Sequence, residues 1–126
     1  MIEYIMSGYV LLLSYSPCDI FTHYGVSQMH GLNVTDCMNH TNNDDQSYIA
    51  GWCNEIPNDT GYYVFINLSR CNDDVSTTAL VFHEMMHLSG RLHQDDWENR
   101  EEDMITFAEN QTYTTVKIIN QIKYGK

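Results

Sequence analysis

The stretch from Gly61 to Gly90 constrains this chain most, because it sets two different hydrophobic periodicities end to end. Tyr62-Tyr63-Val64-Phe65-Ile66-Asn67-Leu68 is aromatic and β-branched, which predicts a largely buried strand. After a polar turn from Ser69 to Asp74, the positions Thr78, Val81, Phe82, Met85 and Leu88 recur close to the i, i+3, i+4 spacing of a helix running from about Val75 to Ser89. Asp74 or Ser76 can cap its start, and Gly90 stands where a C′ glycine would end it. A second helix is predicted from about Glu98 to Asn110. A third follows from Tyr113 to Lys123, where Val116, Ile118, Ile119 and Ile122 supply a core stripe. A strand leading into a long helix, with further helices behind it, makes α+β the expected class.

The rest of the chain carries weaker signals. Residues 2–16 are apolar and aromatic without a clean period, so strand or helix would satisfy them, with Pro17 marking their end. From Gly31 to Thr60 the chain is crowded with Asn, Asp, Gly and Thr, which reads as loops around one short strand near Tyr48 to Trp52. There is no internal repeat and no linker, and 126 residues suit a single domain over 1–126 with one active site.

The predicted helix carries the chemistry. His83 and His87 are four residues apart, so both imidazoles project from one face, one turn above the other, and can bind one metal ion. Glu84 lies about 100° round the helix from His83, where its carboxylate can reach a water on that metal without being a ligand. Zinc catalysis needs a third protein ligand and an open fourth position, and His93 is the candidate. On a straight helix residue 93 would sit about 9 Å further along the axis than residue 87, so the chain is expected to turn back after Leu88. Gly90 would permit that turn by adopting a left-handed conformation. The remaining histidines, His23, His30 and His40, have no ligand spacing.

The full pattern, His83-Glu84-Met85-Met86-His87-Leu88-Ser89-Gly90-Arg91-Leu92-His93, resembles the metzincin clan of zinc peptidases. That resemblance implies a small zincin-like domain with a mixed sheet, an active-site helix and C-terminal helices. It further implies Zn2+ held by His83, His87 and His93, Glu84 as the general base, and an edge strand holding a peptide or protein substrate in extended form. Tyr62 to Leu68 would be that strand or its neighbour. The clan also places a methionine turn beneath the metal, for which Met104 is the candidate, although Glu101 to Glu109 reads equally well as helix. The helical alternative resembles the gluzincins instead, in which a glutamate on a following helix, here Glu101 or Glu102, supplies the third ligand. The expected activity is peptide hydrolysis; the alternative is a non-catalytic zinc-binding or protein-interaction module.

Charge narrows the partners. Seventeen acidic side chains against six basic ones give a net charge of −11, which repels phosphate backbones and anionic lipid, so neither nucleic acid nor a membrane surface is expected as a partner. Four cysteines, Cys18, Cys37, Cys53 and Cys71, contain no C-x-x-C pair and suit two disulfides in any of three pairings, hence an extracellular or other oxidising compartment, with free buried thiols in a reducing one as the alternative. A thiolate such as Cys18 capping the zinc would be a route to latency. Sequons at Asn33, Asn39, Asn58, Asn67 and Asn110 fit the same compartment. The apolar stretch Tyr9 to Tyr15 is short, is preceded by Glu3 and by no Lys or Arg, and reads as fold rather than signal peptide.

Overall fold

A computed structural model describes residues 1–29, 32, 33, 35 and 49–125. The chain forms two compact units, Met1–Arg70 and Cys71–Lys126, with the strands in the first and the long helices in the second. It is α+β, as expected.

In the first unit the ambiguous N-terminal stretch is a β-hairpin. Strands β1 (Ile2–Ile5) and β2 (Val10–Ser14) pair antiparallel, and the turn between them closes with Met6 N–H donating to the Tyr9 carbonyl at 2.9 Å. Gly8 sits in that turn at φ +91°, a conformation that suits glycine. The reason for the missing period is now visible: Leu11, Leu12 and Leu13 are all fully buried, so β2 has no polar face to alternate with. Helix α1 (Asp19–Tyr24) begins after Pro17 and ends at Gly25 in the left-handed conformation. Two short strands, β3 (Gln28–Met29) and β4 (Leu32–Asn33), form a separate antiparallel ladder.

The main sheet is completed by β5 (Gly51–Glu55) and β6 (Tyr62–Asn67), in the order β1-β2-β6-β5. β6 runs parallel to β2 and antiparallel to β5, which makes the sheet mixed. Tyr62–Asn67 is therefore an interior strand next to the edge strand β5, and β1 is the other edge. The strand expected near Tyr48 to Trp52 lies slightly later, at Gly51–Glu55; Tyr48 is outside the described residues. A core of Leu12, Ile20, Tyr63 and Phe65 forms on the sheet, with Trp52 and Tyr24 packed against it. Interior position explains the unbroken apolar run of β6, since both of its faces are covered.

The second unit is a helical hairpin. Helix α2 (Asp74–Leu92) is capped by Asp73, whose side chain accepts the Ser76 N–H at 2.8 Å, so the cap is neither Asp74 nor Ser76 but the residue before them. Helix α3 (Trp97–Tyr124) joins the two helices expected at 98–110 and 113–123 into one, with non-helical backbone only at Arg100 (φ −128°, ψ 19°). No Gly or Pro lies between residues 110 and 113 to break it, and buried Ala108, Thr112, Thr115 and Ile119 carry one face straight through. The hairpin closes at its far end, where Lys123 Nζ donates to the Cys71 carbonyl at 2.7 Å and the Tyr124 hydroxyl reaches the Asn72 carbonyl at 3.3 Å.

The cysteines depart from the two-disulfide expectation. Cys18 is disulfide-bonded, which removes it as a zinc-capping thiolate, but Cys53 and Cys71 are buried thiols. Burial pushes the Cys71 thiol up, disfavouring its thiolate. Cys37 lies outside the described residues. Among the sequons, Asn67 is fully buried, its Nδ2 donating to the Ile49 carbonyl (2.9 Å) and its Oδ1 accepting from Ser69 N–H (3.0 Å), so it has no room for a glycan. Among the described residues no helix is long and apolar enough to cross a membrane.

Candidate metal centre

Helix α2 brings His83 and His87 together as their spacing requires. Both side chains are exposed, and their Nε2 atoms are 3.2 Å apart with the rings nearly perpendicular (centroids 4.7 Å, 81°). At that distance the two nitrogens are in hydrogen-bond contact, with the donor set by the ring tautomers. The same separation fits a shared metal. Two imidazole nitrogens bound tetrahedrally at about 2.0–2.1 Å from one zinc ion stand about 3.3 Å apart.

Glu84 has a different environment from the pair beside it. It lies in the buried stripe of α2 formed by Thr77, Val81, Glu84, Met85 and Leu88, and only 5% of it is exposed. Burial penalises the carboxylate and raises its pKa from 4.5 to about 7. Among the described residues no hydrogen bond holds that carboxyl group. Burying a carboxyl group without such a bond is costly.

His93 is placed elsewhere. The expected reversal after Leu88 does not occur: Ser89, Gly90, Arg91 and Leu92 continue the helix, and Gly90 is a buried helical residue rather than a left-handed one. The stop comes later and is a Schellman arrangement, with Gln94 N–H donating to the Arg91 carbonyl (3.3 Å) and Asp95 N–H to the Gly90 carbonyl (2.7 Å). Its left-handed positions are held by Gln94 (φ 57°) and Asp95 (φ 55°), where glycine would be favoured. Gly90 serves close approach instead, since a Cβ there would lie 2.7 Å from Asp95 Oδ1.

The His93 ring is held by Ser89, whose carbonyl and Oγ both lie within 3.4 Å of Nδ1, and by Phe107. Its Nδ1–H donates to the Ser89 carbonyl (2.8 Å), and it makes a T-shaped contact with the Phe107 ring (centroids 5.9 Å apart). That bond fixes the tautomer and leaves Nε2 as the nitrogen with a lone pair. Ser89 is itself fully buried and donates from Oγ to the Met104 carbonyl at 2.7 Å, tying the last turn of α2 to α3. Nothing in the sequence singled out Ser89, which occupies an unspecified position of the motif and interrupts the apolar spacing.

Met104 is buried inside α3, so the helical reading of that segment holds and there is no methionine turn. Glu101 and Glu102 are exposed near the start of the same helix. Among the described residues no three His, Cys, Asp or Glu side chains gather at one point, so the structure assembles the His83–His87 pair without His93, Glu101 or Glu102. Of the other histidines, His23 pairs with Glu3 (2.7 Å), and His30 and His40 lie outside the described residues. Comparison with protein-family models, with curated proteins and with solved structures finds no match to this chain.

Proposed function

We propose that this chain is a zinc-dependent peptidase of zincin-like design, with His83 and His87 as metal ligands, His93 as the third and Glu84 as general base. The observation that carries the reading is the 3.2 Å separation of the two Nε2 atoms, the bite of a tetrahedral zinc site, on a solvent-facing stretch of helix. The adjacent glutamate supports it, because among the described residues no hydrogen bond holds its carboxyl group.

Zinc, when bound, supplies Lewis-acid polarisation of the scissile carbonyl and acidifies a water. The Glu84 carboxylate takes a proton from the attacking water, whose oxygen bonds to the carbonyl carbon. Glu84 then returns that proton to the nitrogen as the C–N bond breaks, giving a carboxylic acid and an amine, and the acid's remaining proton passes to the amine so that the products leave as carboxylate and ammonium. Peptides and proteins are the substrate class, and the net charge of −11 disfavours nucleic acid and anionic membranes as partners.

The test is cleavage of a mixed peptide library by the zinc-loaded chain, with and without chelator, alongside Glu84→Gln. The reading expects chelator-sensitive cleavage and a variant that retains zinc but loses turnover. Zinc retention without any cleavage by the parent chain would leave the non-catalytic zinc-binding module, and cleavage by Glu84→Gln would refute the assigned base.

A further inference from the structure

The His83–His87 pair is ready for a metal ion, yet the third histidine is anchored away from it. Three features of the intervening segment bear on how they could meet. The helix carries a glycine at Gly90, where alanine would be the better helix former. Immediately beyond it, Gln94 and Asp95 both hold left-handed backbone that side chains disfavour, so the stop of α2 is strained. The ring of His93 keeps its Nε2 lone pair available while Nδ1 is occupied.

We propose that the last turn of α2 is the moving part of the metal centre: His93 joins His83 and His87 only when Ser89–Leu92 leave the helix. The inference rests on the zinc reading above and adds that the site is not preassembled.

Geometry demands the change. While residues 88–92 stay helical, His93 remains about 9 Å beyond His87 along the axis, out of reach of an ion that touches both members of the pair. Gly90 supplies the backbone freedom for the chain to reverse, and reversal releases the two left-handed residues. What opposes it is local: the Ser89 Oγ bond to Met104, the Nδ1 bond of His93 to Ser89, the Phe107 contact, and the two Schellman bonds. Zinc affinity is therefore reduced by the rarity of the reversed turn, and anything that favours the helical form weakens binding further.

The experiment is a zinc titration of the full chain, following affinity by competition with a chromophoric chelator and the helix by 13Cα chemical shifts of Ser89–Leu92. The expected result is saturable binding at one site with loss of helical shifts confined to this segment. His93→Gln should bind more than tenfold more weakly and keep the helical shifts. Gly90→Ala should weaken zinc binding about fivefold, because a Cβ disfavours the left-handed backbone that the reversed turn needs. Binding that leaves the shifts of Ser89–Leu92 unchanged, or that His93→Gln does not weaken, overturns the moving turn and spares the zinc pair. No zinc binding at all overturns both.

Discussion

Glu84 should make the metal-free protein less stable as pH rises, and replacing it should remove that dependence. Its carboxyl group titrates near 4.5 in an unfolded chain and at about 7 when buried in α2. Below about pH 4.5 it is neutral in both states and has no net effect. Between those values the unfolded chain loses the proton and the folded chain keeps it, so stability falls with pH, and above about 7 the full cost is present. At about 1.4 kcal/mol per tenfold change in proton affinity, the difference amounts to about 3 kcal/mol. Urea unfolding of the parent and Glu84→Gln from pH 4.5 to 8.5, in chelator, measures it. The variant should gain on the parent by about 3 kcal/mol between the two ends of that range, most of it between pH 5 and 7. Groups that titrate alike in both proteins cancel in the difference. Parallel stability curves would refute the argument, showing that the carboxyl group is solvated or partnered in the folded chain.

Four further outcomes follow from named contacts. Gln94→Gly should raise stability by about 1 kcal/mol by relieving a left-handed side chain, seen as a higher urea midpoint; a lower midpoint would mean that the helix does not stop there. Gly90→Ala in chelator should change stability by less than about 1 kcal/mol, since better helix propensity is offset by displacement of the flexible Asp95 carboxylate; a loss of several kcal/mol would indicate a left-handed Gly90. Ser89→Ala should cost about 1 kcal/mol through the lost bond to Met104, read by thermal unfolding, and no loss would discount that tie. Asn67→Ala should cost about 2–3 kcal/mol, because both amide atoms are bonded in a fully buried position; mass spectrometry of the chain secreted from eukaryotic cells should likewise find Asn67 unglycosylated.

Local periodicity by itself determined the strand at Tyr62–Asn67, the helix over Val75–Ser89 within it, and the meeting of His83 with His87. These depend on near-neighbour geometry, in which residues four apart on a helix share a face whatever else the chain does. The sequence left open the hairpin of Ile2–Ser14, because a strand buried on both faces shows no alternation, and it broke α3 in two where a continuous buried face carries the helix through. It also misplaced the end of α2. Gly90 reads as a helix stop by residue type, but the stop is decided by tertiary contacts: Asp95 packs against the space where a Cβ would be, and Ser89 is tied to Met104 fifteen residues away. The position of His93 belongs to the same class. It lies six positions after His87, too far for helical spacing to dictate whether they meet, and only the packing of the turn against Phe107 and α3 sets where its ring lies.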